Sequence, residues 1–428
     1  MGDTKKLISS SSIVFVGTII GSFCAYLFNM LMGRYLGPIQ YGDLTAILSM
    51  LSIITVISGA VMTISMRYSG EFYNEGLIKV LKRFFVFLTK NLLIVGLILF
   101  LLGVLLTKPI GHFFSINQTL PLIIGFLSIV FGLLNVINRG FLQGTQKFLA
   151  ISFLGILEMG LRLLIGVFLV LIGLGLNGAV SAIVLATAIA YGISFIPLRK
   201  IFKSKSSDSK SANFKFDKKE IINYSWPTLI ASFFLAMAMN IDIVLVKHYF
   251  DPETAGIYAA ISTIAKIILY ATSPIVGVMF PMVSEKKVKG DKHFKIFLFS
   301  LLLTLIGSLV ILAIYMIAPA KVILLLYGSR YVSLYQLLPE AGLFIAFYAL
   351  SSLLANYFMV IKNFMFLIIF GLVLALQVIL ISMYHPSLTH VVRILILTNG
   401  VLFASLLIYY LSTKKEQVRL LLRGDYES

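Results

Sequence analysis

The chain is 428 residues long, with 59% hydrophobic and only 12% charged residues and a mean hydropathy of +1.01. Soluble domains carry roughly 25% charged residues, so this chain lacks the charge to wet a globular surface, which excludes an ordinary cytosolic enzyme and a disordered or fibrous protein. A net charge of +18 would suggest a nucleic-acid partner in a soluble protein; in so apolar a chain it indicates basic loops facing the cytoplasm, and no nucleic acid is expected.

Apolar runs of spanning length fall at 9–33, 43–66, 84–107, 119–138, 149–172 and 176–197, then at 221–248, 255–281, 294–317, 337–361, 364–384 and 388–411. All read as helices, because lipid offers backbone polar groups no other partner and the runs lack the period-two alternation of barrel strands. Lys5 and Lys6 precede a run too long for a signal-peptide core, with no small-residue cleavage site after it, so it reads as a retained first span. The single cysteine, Cys24, lies in that span and permits no intrachain disulfide. Gly17 and Gly21 in the same span form a G-x-x-x-G, read as a helix-packing motif. Pro227 and Pro274, in the seventh and eighth spans, predict bends.

Twelve spans place both termini on one side. Lys5, Lys6, Arg67, Lys79, Lys82, Arg83, Arg139 and Lys147, eight cations in 199–219, five in 286–295, Lys362 and four in 414–423 bring that side to 26, against six opposite: Arg34, Lys108, Lys247, Lys321, Arg330 and Arg393. The positive-inside rule makes the richer side cytoplasmic, so a multi-pass cell-membrane protein with both termini inside is expected. The Ser/Lys-rich stretch 199–219 reads as a solvated linker between a bundle of 1–198 and one of 220–411, with 412–428 as a cytoplasmic tail.

The two halves share a connection. Arg34-Tyr-Leu-Gly-Pro-Ile-Gln-Tyr-Gly42 follows the first span, and His248-Tyr-Phe-Asp-Pro-Glu-Thr-Ala-Gly256 follows the seventh. Tyr35 and Tyr249, Pro38 and Pro252, and Gly42 and Gly256 are each 214 residues apart, half the chain length. Six spans per half is an even number, so both halves insert in the same orientation. The expected fold is an all-α polytopic membrane protein of twelve transmembrane helices, in two six-helix bundles related by a pseudo-two-fold along the membrane normal. That architecture suits a transporter, with a substrate path at the repeat interface and one half rocking against the other.

An ionisable side chain at bilayer depth is costly and needs a reason. Arg162, mid-way along the fifth span, has Glu158 one turn before it, which fits either an internal ion pair or a cavity cation tuned by its acid. Lys266, in the eighth span, has no acid at i±3 or i±4 and lies too deep to snorkel, so a water-filled cavity is expected around it. Arg34 and Arg67, at span ends, suit interface anchoring and ligand contact equally. Asp242, in the seventh span two residues after Asn240, fits an ion pair, a cap at a bend, or a site for a coupling proton or sodium ion. Arg139, Lys90, Glu340 and Arg393 lie near span ends and read as interface residues. The deep set leans basic, which suits an anionic substrate, and arginine's planar donor fork suits phosphate.

No P-loop G-x-x-x-x-G-K-[ST] occurs, which argues against an ATP-driven pump. The five histidines are scattered without metal spacing, and the outer loops are short for a membrane glycosyltransferase. Neither a catalytic residue nor a cofactor is expected.

The run Met32-Gly-Arg-Tyr-Leu-Gly-Pro-Ile-Gln-Tyr-Gly-Asp-Leu44 resembles the R-x-L-G-P-x-x-Y-G signature of polysaccharide biosynthesis flippases, the Wzx-type members of the multidrug/oligosaccharidyl-lipid/polysaccharide (MOP) superfamily. Ile241-Asp242 followed by Asp251-Pro-Glu-Thr-Ala-Gly-Ile-Tyr258 resembles the matching second-half pattern. The resemblance implies a MATE-like, twelve-helix transporter that moves polyprenyl-diphosphate-linked oligosaccharide from the inner to the outer leaflet through a cationic cavity. By position, Arg34, Arg67, Arg162 and Lys266 are its candidate substrate contacts, with Asp242 and Glu158 as ion-coupling or ion-pair residues. Its partners would be the anionic lipid-linked saccharide, the bilayer and polysaccharide assembly proteins. Two other readings stay open: a cation-coupled multidrug exporter of the same superfamily, and a non-transporting scaffold for envelope assembly.

Overall fold

A computed structural model describes residues 2–203, 218–288 and 294–423. Most of the expected linker, 204–217, and the end of the expected tail, 424–428, lie outside the described residues, as do the side chains of Lys5 and Lys6. Among the described residues every regular element is a helix. Before the linker come α1 (Gly2–Ile54), α2 (Ile57–Asn74), α3 (Ile78–Leu105), α4 (Thr107–Phe113), α5 (Leu120–Gly144), α6 (Phe148–Leu169) and α7 (Gly175–Phe202). After it come α8 (Lys218–Tyr249), α9 (Pro252–Ala265), α10 (Ile267–Val288), α11 (Phe294–Ile317), α12 (Pro319–Leu326), α13 (Leu337–Val360), α14 (Phe366–Met383) and α15 (Leu388–Arg423).

Ten helical stretches among the described residues are long and apolar enough to cross a membrane. Two of them, Val16–Ile54 with 39 residues and Phe148–Phe202 with 55, are too long for one crossing, since about 20 residues span the hydrocarbon core. Each breaks at glycine: Gly37 takes φ 73° and ψ 175°, while Gly173, inside a wide turn over 170–174, and Gly175, just after it, take φ 94° and 49°. Both sides of each break count as separate passes, which gives the expected twelve. The protein is a multi-pass membrane protein. The second pass begins at Pro38 rather than at 43, because Gly37, with its positive φ, ends one helix and Pro38, pre-set for a first helical turn, starts the next.

The halves repeat further than their shared motif. The second pass is interrupted between α1 and α2, at Thr55 and Val56, and the eighth between α9 and α10, at Lys266. The third and ninth passes, α3 and α11, each lead into a short helix, α4 and α12. In the fourth and tenth passes, α5 and α13, 56% and 72% of the most apolar stretch is buried, against 17% and 22% in α3 and α11. Equivalent passes therefore occupy equivalent interior or lipid-facing places within their own halves.

The chain forms two compact units. The first comprises the helices up to Phe233 together with Phe250–Ala260; the second comprises Phe234–Tyr249 and the chain from Ile261 onward. In the first, Phe84 stacks on Phe141 at 5.8 Å and Phe85 meets it edge-on at 5.1 Å. In the second, Phe297 lies 4.4 Å from Tyr357 and 4.5 Å from Tyr410, between ring centroids. Lipid tails are as apolar as leucine, so close packing of this kind, rather than escape from water, holds the helices together.

Within the first unit the two duplicated connections meet. A Cβ added to Gly42 would stand 2.8 Å from Gly256 Cα, and one added to Gly256 would collide with the Pro38 carbonyl oxygen. The two corners touch backbone to backbone, and glycine is a steric requirement at both.

Asp251 caps the corner into α9. Its Oδ1 accepts hydrogen bonds from the backbone N–H groups of Glu253 at 3.1 Å and Thr254 at 2.9 Å, an N-cap arrangement. Hydrogen bonds from Thr254, side chain and backbone, hold its carboxyl below the usual carboxylate range. A carboxylate whose pKa is lowered by folding contributes stability above its unfolded pKa, and that contribution is lost as the pH falls. Asp251→Ala is therefore expected to cost about 0.5–1 kcal/mol at neutral pH, and progressively less as the pH falls below the ordinary carboxylate range and through the lowered pKa of this carboxyl, which thermal unfolding across an acid pH series would measure.

Candidate functional site

Two ion clusters lie among the apolar helices, one in each unit, the first half-buried and the second buried. Glu158, on α6, is the hub of the first. Its Oε2 accepts hydrogen bonds from Arg139 Nη2 at 2.6 Å and Asn135 Nδ2 at 3.0 Å, both on α5, and its Oε1 accepts one from Thr187 Oγ1 on α7 at 2.9 Å. The Arg139 and Glu158 side chains are 25% and 13% exposed, so one carboxylate ties three helices together in a largely dry setting.

Sequence spacing offered Arg162 as the partner of Glu158. The structure supplies Arg139, which reads in the sequence as an interface residue near a span end. The fourth pass, α5, continues to Gly144, and this extra length draws Arg139 into the bundle. The available signal was Asn135 and Arg139 four residues apart, which puts both polar side chains on one face of α5. Arg162 lies one turn beyond Glu158 on α6, with its guanidinium 4.5 Å from the centroid of the Phe28 ring on α1, a cation–π contact.

Arg139 also lines a cavity of about 240 Å³ along the seam of α1 and α6, together with the hydroxyl residues Thr18, Ser22 and Ser152. Arg139 Nε is buried and has no hydrogen-bond partner among the described residues. Small residues form this seam: a Cβ on Gly17 would stand 2.7 Å from Ser152 Cβ, and Gly21 faces Gly155. The G-x-x-x-G of the first span packs α1 on α6 at the edge of the cavity.

The second cluster joins Asp242 on α8 to the break in the eighth pass. Asp242 Oδ2 accepts a hydrogen bond from Ser262 Oγ at 2.6 Å, and Oδ1 lies 3.9 Å from Lys266 Nζ. Asp242 is 1% exposed and Lys266 4%. The acid facing Lys266 sits 24 residues earlier, on another helix, beyond any search at i±3 or i±4. Arg34 and Arg67 are both exposed, and the Arg67 guanidinium lies 5.4 Å from the centroid of its neighbour Tyr68.

A third polar seam was not anticipated. Gln377 Oε1 on α14 accepts hydrogen bonds from Thr398 Oγ1 at 3.1 Å and Asn399 Nδ2 at 3.4 Å on α15. These residues carry no charge, so a scan for ionisable groups passes over them.

A family described as "Polysaccharide biosynthesis protein" matches residues 7–287 of the chain. The chain belongs to that family. The resemblance carried by Arg34–Gly42 is borne out. The membrane protein MJ1375 of Methanocaldococcus jannaschii is 23% identical to this chain over 302 residues, 66% of this chain and 69% of that one. Among solved structures, an inward-facing multidrug resistance MATE family transporter of the MOP superfamily matches with a TM-score of 0.71 at 15% identity, covering 93% of this chain and 99% of that one. The lipid II flippase MurJ, in an inward closed conformation, matches with a TM-score of 0.69 at 16% identity, covering 98% and 94%. The fold is the all-helical, two-bundle fold of the MOP superfamily, as expected from the sequence.

Proposed function

We propose that the protein is a flippase, moving a polyprenyl-diphosphate-linked oligosaccharide from the inner to the outer leaflet by alternating access, for surface polysaccharide assembly. It resides in the cell membrane with both termini in the cytoplasm. By the sequence repeat, which assigns 220–233 and 250–260 to the second half although they pack with the first compact unit, residues 1–198 and 220–411 are its two bundles, 199–219 joins them and 412–428 is a tail.

The observation that carries this reading is Arg139. Glu158 anchors one of its nitrogens, and Arg139 borders a largely apolar cavity that also presents the hydroxyls of Thr18, Ser22 and Ser152. With a quarter of its side-chain surface exposed, a guanidinium held in that way can turn donors toward phosphate oxygens, which its planar fork matches. Arg162, one turn beyond Glu158, adds a second guanidinium, Arg34 and Arg67 guide the anionic headgroup, and Lys266 balanced by Asp242 supplies a cation in the second unit. The saccharide crosses in water while the polyprenyl chain stays in lipid, and Asp242 or Glu158 couples the cycle to an ion. A fold shared with a lipid II flippase supports a lipid-linked substrate. The equal likeness to a MATE family transporter favours one competing reading, a cation-coupled multidrug exporter.

The test is surface-polysaccharide export in a strain deleted for the gene and complemented with variants at matched protein level. Arg139→Lys keeps a cation for Glu158 but loses the fork, and together with Arg162→Ala it is expected to lower export by about tenfold or more, the scale of a lost charge-assisted hydrogen bond. Export at the wild-type rate in that pair, and in Arg162→Ala with Lys266→Ala, would refute the assigned contacts. Drug efflux without accumulation of lipid-linked saccharide in the deletion strain would move the assignment to the exporter.

A further inference from the structure

The face of α6 opposite the Arg139 cavity carries a second concavity. Ala150, Phe153 and Leu154 on α6 and Ile193, Ile196, Pro197 and Lys200 on α7 line a groove of about 200 Å³. The spacing is i, i+3, i+4 on one helix and i, i+3, i+4, i+7 on the other, so each helix gives one continuous stripe. From Ile193 to Lys200 the groove runs roughly 10 Å at 1.5 Å per residue. Pro197 lacks an N–H, so the Ile193 carbonyl four residues back loses its helical donor. The groove wall is thus locally loosened where the two residues face it. Phe153 at 58% and Ile196 at 61% exposure turn its rim toward the bilayer rather than the bundle interior.

One end of the groove is charged and the rest is apolar. Lys200 is exposed and makes no ion pair among the described residues. Arg199 and Lys203 flank it in sequence, and Lys147 starts the antiparallel α6 at the same end. Glu158, engaged by Arg139, is the only acid between Arg139 and Lys203. An apolar slot ending in a cation with no ion pair among the described residues complements a lipid, an apolar chain that ends in an anionic headgroup.

We infer that the α6–α7 groove is a binding site for an anionic phospholipid, with an acyl chain along the stripe of Ala150, Phe153, Ile193 and Ile196 and the headgroup phosphate on Lys200. This site is separate from the Arg139 cavity and does not depend on what the protein transports. The cytoplasmic orientation proposed above determines only the leaflet from which the lipid comes.

The test is native mass spectrometry of the full-length protein released from bilayers of phosphatidylcholine containing phosphatidylglycerol. The wild type is expected to retain one phosphatidylglycerol in preference to phosphatidylcholine. Lys200→Gln, a change at an exposed position, is expected to weaken that retention by about fivefold, the scale for one lysine at an anionic surface, while Lys200→Arg keeps it. Ala150→Phe, which fills the slot, is expected to abolish retention. Ile196→Ala, which trims the rim without overfilling it, serves where Ala150→Phe fails to fold and is expected to reduce retention. Equal retention of the two lipids by the wild type would overturn the proposal. So would loss with Lys200→Gln but none with either groove variant, since that is headgroup attraction without a groove. Inorganic phosphate added in excess is expected not to displace the lipid; displacement would mark a bare phosphate site and overturn the lipid assignment.

Discussion

Glu158→Ala is expected to be the most damaging polar substitution in the first unit, lowering stability by about 3 kcal/mol, the lower end of the range for breaking a buried pair. The lower end applies because Arg139 keeps 25% of its side-chain surface, and some water reaches it. The loss has two sources: Arg139 is left as an uncompensated cation between α5 and α6, and Asn135 and Thr187 lose their acceptor. Replacing both charges with apolar residues, Arg139→Leu with Glu158→Leu, is expected to recover most of the deficit, because a buried pair is often no more stabilising than well-packed hydrophobic residues of similar volume. Thermal unfolding in detergent of Arg139→Leu, Glu158→Leu and their double closes the cycle and isolates the coupling. A double variant that is as unstable as Glu158→Ala would show that the carboxylate acts through Asn135 and Thr187 and not through the arginine. A double variant that folds well but no longer exports would separate the functional role of Arg139 from its structural one.

Much of this fold was legible because its main determinant is local. A run of about 20 apolar residues can only be a helix in lipid, so the ninth span, 294–317, coincides with α11 residue for residue. The start of the second pass was misplaced because hydropathy locates where polarity ends. The corner itself depends on the backbone freedom of Gly37 and the pre-set φ of Pro38, which hydropathy does not weigh. The site was half legible. Arg162, Glu158, Asp242 and Lys266 stand out in sequence because charge in an apolar run is rare. Their partners do not, since which helices adjoin is a tertiary fact. Glu158 meets Arg139 across α5 and α6, and Lys266 meets Asp242 across α8 and the α9–α10 break. Neutral polar contacts such as Gln377 with Thr398 leave no compositional trace at all.

Alanine at Gly256 is expected to keep the chain from its native packing. The duplicated motif aligned Gly42 with Gly256 at half the chain length, and the structure brings the two into contact. At Gly256 the new Cβ would strike the carbonyl oxygen and carbon of Pro38; at Gly42 it would stand 2.8 Å from Gly256 Cα and 3.1 Å from its backbone nitrogen. Backbone atoms in a corner defined by Gly37 and Pro38 cannot rotate aside as a side chain would, so neither collision has a cheap relief. Overfilling a packed site costs about 1–3 kcal/mol, and Gly256→Ala belongs at or beyond the top of that range, with Gly42→Ala somewhat below it. Gly160→Ala and Gly192→Ala are the controls. Nothing lies within 4 Å of a Cβ at either position, and alanine favours the helix by up to about 1 kcal/mol, so both are expected to be neutral or stabilising. Because both corner substitutions strain one contact, combining them is expected to cost less than the sum of the singles. Yield of folded protein by size-exclusion chromatography and its unfolding temperature would rank the four. Wild-type behaviour in both corner variants would mean that the two repeats do not meet at these glycines, and the steric account of why each half carries one there would fall with it.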